Sequence, residues 1–242
     1  MERYKKIGKA VIIWSFICLF CGSLFAQKGA PNLPNYDTKI AHFGFVLGIN
    51  CAGFSSKPVS NLNPLDSVMF IQSAWKPGFD IGILANLHLG RCFDLRFIPS
   101  LSLLDRTINY SISHTNSGIY EHAQRIESVN LNLPLLIRLK SSRVGNNIRF
   151  YAITGVQYSI DLASRSKKRI ADESNIIKLR MDDLQVQVGT GLDFYLQFFK
   201  FSMEAKMSFG VLNLMEPTNT IYSTSVEYLR STTFHISFLF EG

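Results

Sequence analysis

Beyond its first 26 residues this sequence lacks any run of about 20 consecutive apolar residues, the length a membrane-crossing helix needs. It is poor in cysteine, with Cys18, Cys21, Cys51 and Cys92 the only four in 242 residues. The first two fall in a leader described below, and the remaining two are too few for a disulfide framework or a Cys-rich metal site. Charge is scarce as well. Asp, Glu, Lys and Arg make up 18% of the chain, where a soluble domain carries about 25%. The patterns HExxH, GxSxG and the phosphate-binding P-loop are all missing, which removes the commonest signatures of zinc proteases, nucleophile-elbow hydrolases and nucleotide hydrolases.

Apolar residues are plentiful at 47%, with 19 phenylalanines. The first 26 residues read as a secretory signal peptide. Arg3, Lys5, Lys6 and Lys9 form its basic start, AVIIWSFICLFCGSLF its apolar centre, and Ala26 the small residue before cleavage. An uncleaved anchor and a lipoprotein at Cys21 are the alternatives. Leu24 and Phe20 are larger than the small residues that usually precede the two cleavage points. Loss of this segment removes four cations and Glu2, so the formal net charge falls from +7 to +4. The basic balance is partly that of the export signal, and no nucleic-acid partner follows from it. Residues 27–40, QKGAPNLPNYDTKI, are rich in proline and asparagine and read as a periplasmic N-terminal linker.

From residue 41 to 242 the dominant period is two rather than 3.6. Eight segments alternate apolar and polar positions: 41–49, 78–89, 94–103, 128–139, 148–160, 184–197, 199–210 and 233–240. In the first, Ala41, Phe43, Phe45, Leu47 and Ile49 alternate with His42, Gly44, Val46 and Gly48. Strands of this length suit a tilted crossing of a bilayer. The connections GRC, KSSRVGNN and QFFK are short, whereas 51–77, 104–127, 161–183 and 211–232 are long. Short turns at one end and long loops at the other are a property of outer-membrane barrels. The expected fold is therefore all-β: an eight-stranded antiparallel up-and-down transmembrane barrel over 41–242, with both ends on the periplasmic side. Pro99 and Pro134 fall inside strands, where each should bring a bulge or a missing ladder bond.

A soluble lipocalin-like barrel also has eight strands but turns its apolar face inward. Three features argue for apolar-out here. The polar positions collect glycines, which suit a crowded lumen. They collect charges of both signs: Asp80, Asp94, Arg96, Arg138, Arg149, Asp193, Glu204 and Lys206. The apolar positions are almost free of charge. An eight-stranded lumen is narrow and filled by side chains, so these eight residues are expected to pair there as a structural polar network. A conduction path is the other reading of the same charges.

Candidate chemistry is sparse. His235 and Ser237 share a strand face, a pairing that a lipid-modifying hydrolase would use, though both also fit a polar lumen lining. His114 and His122 flank a polar loop with Glu121, which reads as solvated, a metal site being the alternative. No cofactor, metal or catalytic residue is expected. Arg165, Lys167, Lys168 and Arg169 crowd one loop, where they would meet lipopolysaccharide or an acidic partner, or simply be solvated. Cys51 and Cys92 should sit at opposite ends of the barrel, too far apart for a disulfide.

Several blocks resemble one family: PGFDIGI (77–83), LRFIPSLSLLDRTINY (95–110), ESVNLNLPLLIRLKSSRVGNNIRFYAITGVQYSIDLAS (127–164), VGTGLDFYLQFFKFSMEAKMSFG (188–210), YLRST (228–232) and FEG (240–242). In order, they resemble the PorT family of the Bacteroidetes type IX secretion system. The resemblance implies an outer-membrane barrel, without catalytic residues, required for export of proteins carrying a type IX signal. In some relatives it also implies support of gliding motility. Its partners would be other type IX components, lipid and lipopolysaccharide. The end of the chain departs from the common pattern, because Glu241 and Gly242 follow Phe240 where barrels usually finish on an aromatic residue. A free-standing barrel, whether solute channel, adhesin or lipid-modifying enzyme, is the alternative.

Overall fold

Alternating side chains can satisfy lipid on one face and a packed interior on the other only if no strand edge is left open to the hydrocarbon. The computed structural model meets this condition by closure. It describes residues 32–58, 68–114, 118–145, 147–163, 180–215 and 226–242. Its strands are β1 (Ala41–Pro58), β2 (Val68–His88), β3 (Phe93–Phe97), β4 (Ser100–His114), β5 (Gly118–Lys140), β6 (Ile148–Asp161), β7 (Asp182–Tyr195), β8 (Lys200–Gly210) and β9 (Val226–Glu241). All neighbours are antiparallel, and β9 returns to β1 in a register running from Gly44↔Glu241 to Pro58↔Val226. β3 and β4 are two halves of one stave, since each pairs with β2 on one side and β5 on the other. The barrel thus has eight staves.

The split of that stave follows from the prolines. Ile83 N donates to Pro99 O at 3.1 Å and Ile98 N donates to Pro134 O at 3.4 Å, and neither proline has an N–H to return. A ladder bond is therefore absent at both. No bulge accompanies them, because the register Ala85↔Phe97 continues in phase to Gly82↔Ser100. The shift in this part of the wall lies between Trp75 and Phe79.

The apolar set faces outward. Phe43 is 69% and Ile81 61% exposed, while His42 and Asp80 between their neighbours are buried. In water such a surface would be untenable, and in lipid it is the required one. Aromatic rings collect near the short turns: Phe45 stacks on Phe240 at 4.7 Å, and Phe201 lies 5.3 Å from Phe240. Closure at this seam requires Gly44, where a Cβ would overlap the Phe240 carbonyl oxygen.

Several strands are longer than the alternation indicates. Residues 51–58, 68–77, 104–114 and 118–127, expected as loop, continue β1, β2, β4 and β5. Where strands rise above the hydrocarbon both faces meet polar surroundings, so the apolar/polar contrast that marks a spanning strand fades although the ladder continues. Residues 32–40 also differ from a plain spacer, since they fold across the short-turn mouth with a 3-10 turn at Tyr36–Thr38. Residues 1–31, including those read as a signal peptide, lie outside the described residues. Cys51 and Cys92 are free, one in β1 and the other in the β2–β3 turn.

Ile81→Arg, on the lipid face, should lower stability by about 2–4 kcal/mol, read from denaturant unfolding in lipid vesicles. An effect within about 0.5 kcal/mol, as at an ordinary water-exposed site, would mean that this face meets water.

Candidate functional site: a layered lumen and its short-turn mouth

The lumen is stratified. In its middle Val46, Leu84, Ile98, Leu136, Tyr151, Ile153 and Leu239 form one buried cluster. These stand at inward positions, so the inward face is not uniformly polar as the alternation suggests. The belt divides an ion-pair layer near the short turns from a layer toward the long loops in which amide and hydroxyl side chains dominate.

The ion-pair layer is built on Arg96 and Arg138. Arg96, on β3, donates to Glu204 of β8 at 3.0 Å, to Glu241 of β9 at 2.9 Å and, through Nε, to Asn86 Oδ1 at 3.3 Å. Lys206 reaches Glu204 at 3.2 Å, and Lys200 reaches Glu241 at 2.7 Å. Arg138 bridges Asp94 and Asp193. Asp94 also accepts from Lys140 at 2.7 Å and contacts His88 Nδ1 at 2.8 Å. Tyr151 joins the two clusters: its hydroxyl donates to Glu204 at 3.0 Å, and Arg138 lies 4.0 Å from its ring centroid. The ring fits because residue 191 is glycine, whose missing Cβ would overlap the Tyr151 ring.

Beyond the belt, Asp80 accepts from Asn50 at 2.7 Å and from Ser102, and meets His235 Nδ1 at 2.7 Å. Asn132, Ser159, Gln157, Gln187 and Ser208 continue the chain of bonds. A cavity beside Asp80, His235 and Lys206 measures about 20 Å³, room for about one water molecule.

All eight charges singled out from the sequence point into the lumen, but the structure sorts them. Asp94, Arg138 and Asp193 form one set, and Arg96, Glu204 and Lys206 another. Asp80 stands apart with His235. Arg149 pairs with none of the other seven and binds Asp37 instead. Glu241, read from sequence as an irregular tail, is fully buried and accepts from Arg96, Lys200 and Tyr36. Its parity with His235, Ser237 and Leu239 already places it inward. Arg165, Lys167, Lys168 and Arg169 lie outside the described residues, as do the side chains of His114, Glu121 and His122.

The mouth is closed by residues 32–40. Tyr36 stacks on His42 at 3.7 Å, meets the Tyr195 ring edge-on at 5.7 Å, and donates to Glu241 at 2.9 Å. Burial, and then Glu241, push its hydroxyl upward, so it remains a donor. Asp37 receives both terminal nitrogens of Arg149 at 3.0 Å and one of Arg143 at 3.0 Å. The buried lumen cations are Arg96, Arg106, Arg138, Lys140, Arg149, Lys200 and Lys206, against Asp80, Asp94, Asp183, Asp193, Glu204 and Glu241, and Asp37 at the mouth adds a carboxylate shared by Arg149 and Arg143.

Arg96→Ala leaves two buried carboxylates short of a cation and should cost about 3–5 kcal/mol, measured by denaturant unfolding of the folded barrel. A second outcome concerns pH. Burial alone would raise the Asp37 carboxyl, but bonds and charge from Arg149 and Arg143 outweigh it and hold it below its ordinary 3.8. A carboxylate depressed on docking contributes stability above the undocked value and loses it as pH falls through the docked one. A spin label at Asn35, an exposed position, should thus stay immobile from neutral pH to about 4 and become mobile below that range.

The model of a family described as "Outer membrane protein beta-barrel domain" matches residues 25–216. No curated protein matches the chain. Among solved structures the chain is similar to the outer membrane protein OprG from Pseudomonas aeruginosa, with 12% identity, 84% of this chain and 94% of that one covered, and a TM-score of 0.38. It is also similar to Ail, the attachment invasion locus protein of Yersinia pestis, with 7% identity, coverage of 84% and 100%, and a TM-score of 0.37. A lipid-facing apolar wall, a closed eight-stave ladder and a matching family model over most of the sequence agree, and the chain belongs to the outer membrane protein beta-barrel domain family.

Proposed function

We propose that this barrel is a non-enzymatic subunit of the type IX protein secretion machinery, with an assembly or partner-binding role rather than that of the translocation pore. It sits with its short turns and both chain ends facing the periplasm, and its partners are other type IX components, with lipid and lipopolysaccharide around it. The blocks resembling the PorT family support the secretion assignment, as well as a role in gliding motility. The observation that carries the partner-binding role is the filled lumen. A belt of packed apolar side chains, an ion-pair layer and a cavity of about 20 Å³ leave no route for a polypeptide, so a contribution to export must be made at the surfaces of the barrel.

The alternative is a free-standing barrel, and one arrangement favours it. His235 is oriented by Asp80 through Nδ1, as in a catalytic dyad. The adjoining space, however, holds about one water, too little for an acyl or glycosyl substrate.

Deletion of the gene should abolish export of type IX cargo to the cell surface, with restoration by the wild-type chain and by His235→Ala. Undiminished export in the deletion strain overturns the proposal. Loss of a lipid-modifying activity in His235→Ala, or steady single-channel conductance from the purified barrel, would establish the free-standing reading.

A further inference from the structure

The docking of residues 32–40 resembles that of a bound peptide more than that of a structural plug. It adds no strand to the sheet. Arg143, in the β5–β6 turn, donates to the carbonyls of Asn32 and Leu33 at 2.8 and 3.3 Å as well as to Asp37. Asn147 Oδ1 accepts from the Asn32 amide at 2.9 Å, and the Tyr195 carbonyl accepts from the Asn32 side chain at 2.9 Å. Turn residues thus recognise backbone while two guanidiniums recognise one carboxylate, the bidentate geometry that makes arginine selective for such groups.

The recognising side chains are held by the barrel and not by the segment. The Arg143 guanidinium lies 3.6 Å from the centroid of the Tyr195 ring, and Arg149 projects from β6. Among the described residues, Asp37 is the one carboxylate within salt-bridge distance of either arginine. Tyr36 anchors the segment, but its backbone and its acid are less ideally placed. Leu33 has φ = 50°, a left-handed conformation costly for a residue other than glycine. The Asp37 side chain keeps 34% of its surface accessible, so water and competing carboxylates can reach it.

We propose that Arg143 and Arg149 form a carboxylate-recognition site for an acidic peptide segment of a partner protein, which Asp37 occupies in cis until the partner displaces it. This rests on the partner-binding reading above and names its site. A residue tethered so closely acts at an effective concentration on the order of millimolar. A partner must therefore exceed that competition, which makes engagement conditional on a well-matched acidic segment. The Tyr36–Asp37 pair indicates the sequence type: an aromatic residue directly before the acid.

The test uses the full mature chain in detergent, with Cys51→Ser, Cys92→Ser and a spin label on Asn35→Cys. The probe is an amidated peptide of the sequence of residues 32–40, beside the same peptide with asparagine in place of its aspartate. The acidic peptide should mobilise the label with a midpoint in the millimolar range, and the asparagine peptide should not. In a chain carrying Asp37→Asn, fluorescence anisotropy of the labelled acidic peptide should show binding at least ~10-fold tighter than to the wild type, and adding Arg143→Gln should remove it. No mobilisation and no binding in either chain overturns the proposal, as does equal action of both peptides. Action confined to a non-acidic peptide with a free C-terminus also overturns it, in favour of a terminal carboxylate. Because the assay uses purified barrel, its failure is separable from that of the secretion assignment, which the export experiment decides alone.

Discussion

Arg96 is the interaction on which this barrel depends. It extends from the third stave across the lumen to Glu204 on β8 and Glu241 on β9, and all three side chains are fully buried. No single partner would suffice. A buried guanidinium beside one carboxylate leaves donors unspent, and the desolvation of both ions outweighs a poorly bonded contact. Here Asn86, Glu204 and Glu241 take its donors, while Lys200, Lys206, Tyr36 and Tyr151 take the remaining acceptor capacity of the two glutamates. The network is satisfied because it is shared, and it ties β3 to β8 and to β9, the strand that closes the seam against β1.

This dependence originates in the size of the ring. Lipid demands that every backbone group be bonded within the barrel, and eight staves enclose a space that only side chains can fill. Apolar filling throughout would give both faces of each strand the same character and leave the register poorly specified, since a one-residue slip exchanges the faces. Charges inside and leucines outside make that slip prohibitive. The apolar belt is tolerated because it occupies one level, with polar layers above and below fixing the phase.

Much of this was legible in residue order. Parity alone placed Arg138, Arg149 and Asp193 in the lumen and identified Pro99 and Pro134 as breaks in the ladder. It could not supply height or partner. Which inward residues meet across the lumen depends on the stagger of the closed ring, and no local pattern encodes it. Arg149 illustrates the gap: its face is evident, yet its partner Asp37 lies in a Pro/Asn-rich stretch with no periodicity to suggest a docked structure. The belt is not legible in the sequence for a related reason. Leu84, Leu136 and Leu239 look like lapses in separate strands, and become a layer only when the strands stand side by side. The strand extensions past residues 49, 103 and before 128 lack the lipid contrast on which the period-two signal depends.

The stratification also bears on where a function can reside. A ligand at one mouth cannot reach the other through a lumen crossed by a belt of packed apolar side chains, so the two ends act separately unless the wall itself deforms. The wall has an uneven resistance to deformation. Ladder bonds are missing at Pro99 and Pro134, on adjoining staves, and the register shifts a few residues away between Trp75 and Phe79. At the opposite side β7 and β8 pair without a shift from Gln185↔Gly210 to Tyr195↔Lys200. Arg96 and Asp94 stand on β3 immediately below that interruption, so the ion-pair layer ties together across the lumen the staves whose ladder lacks these bonds.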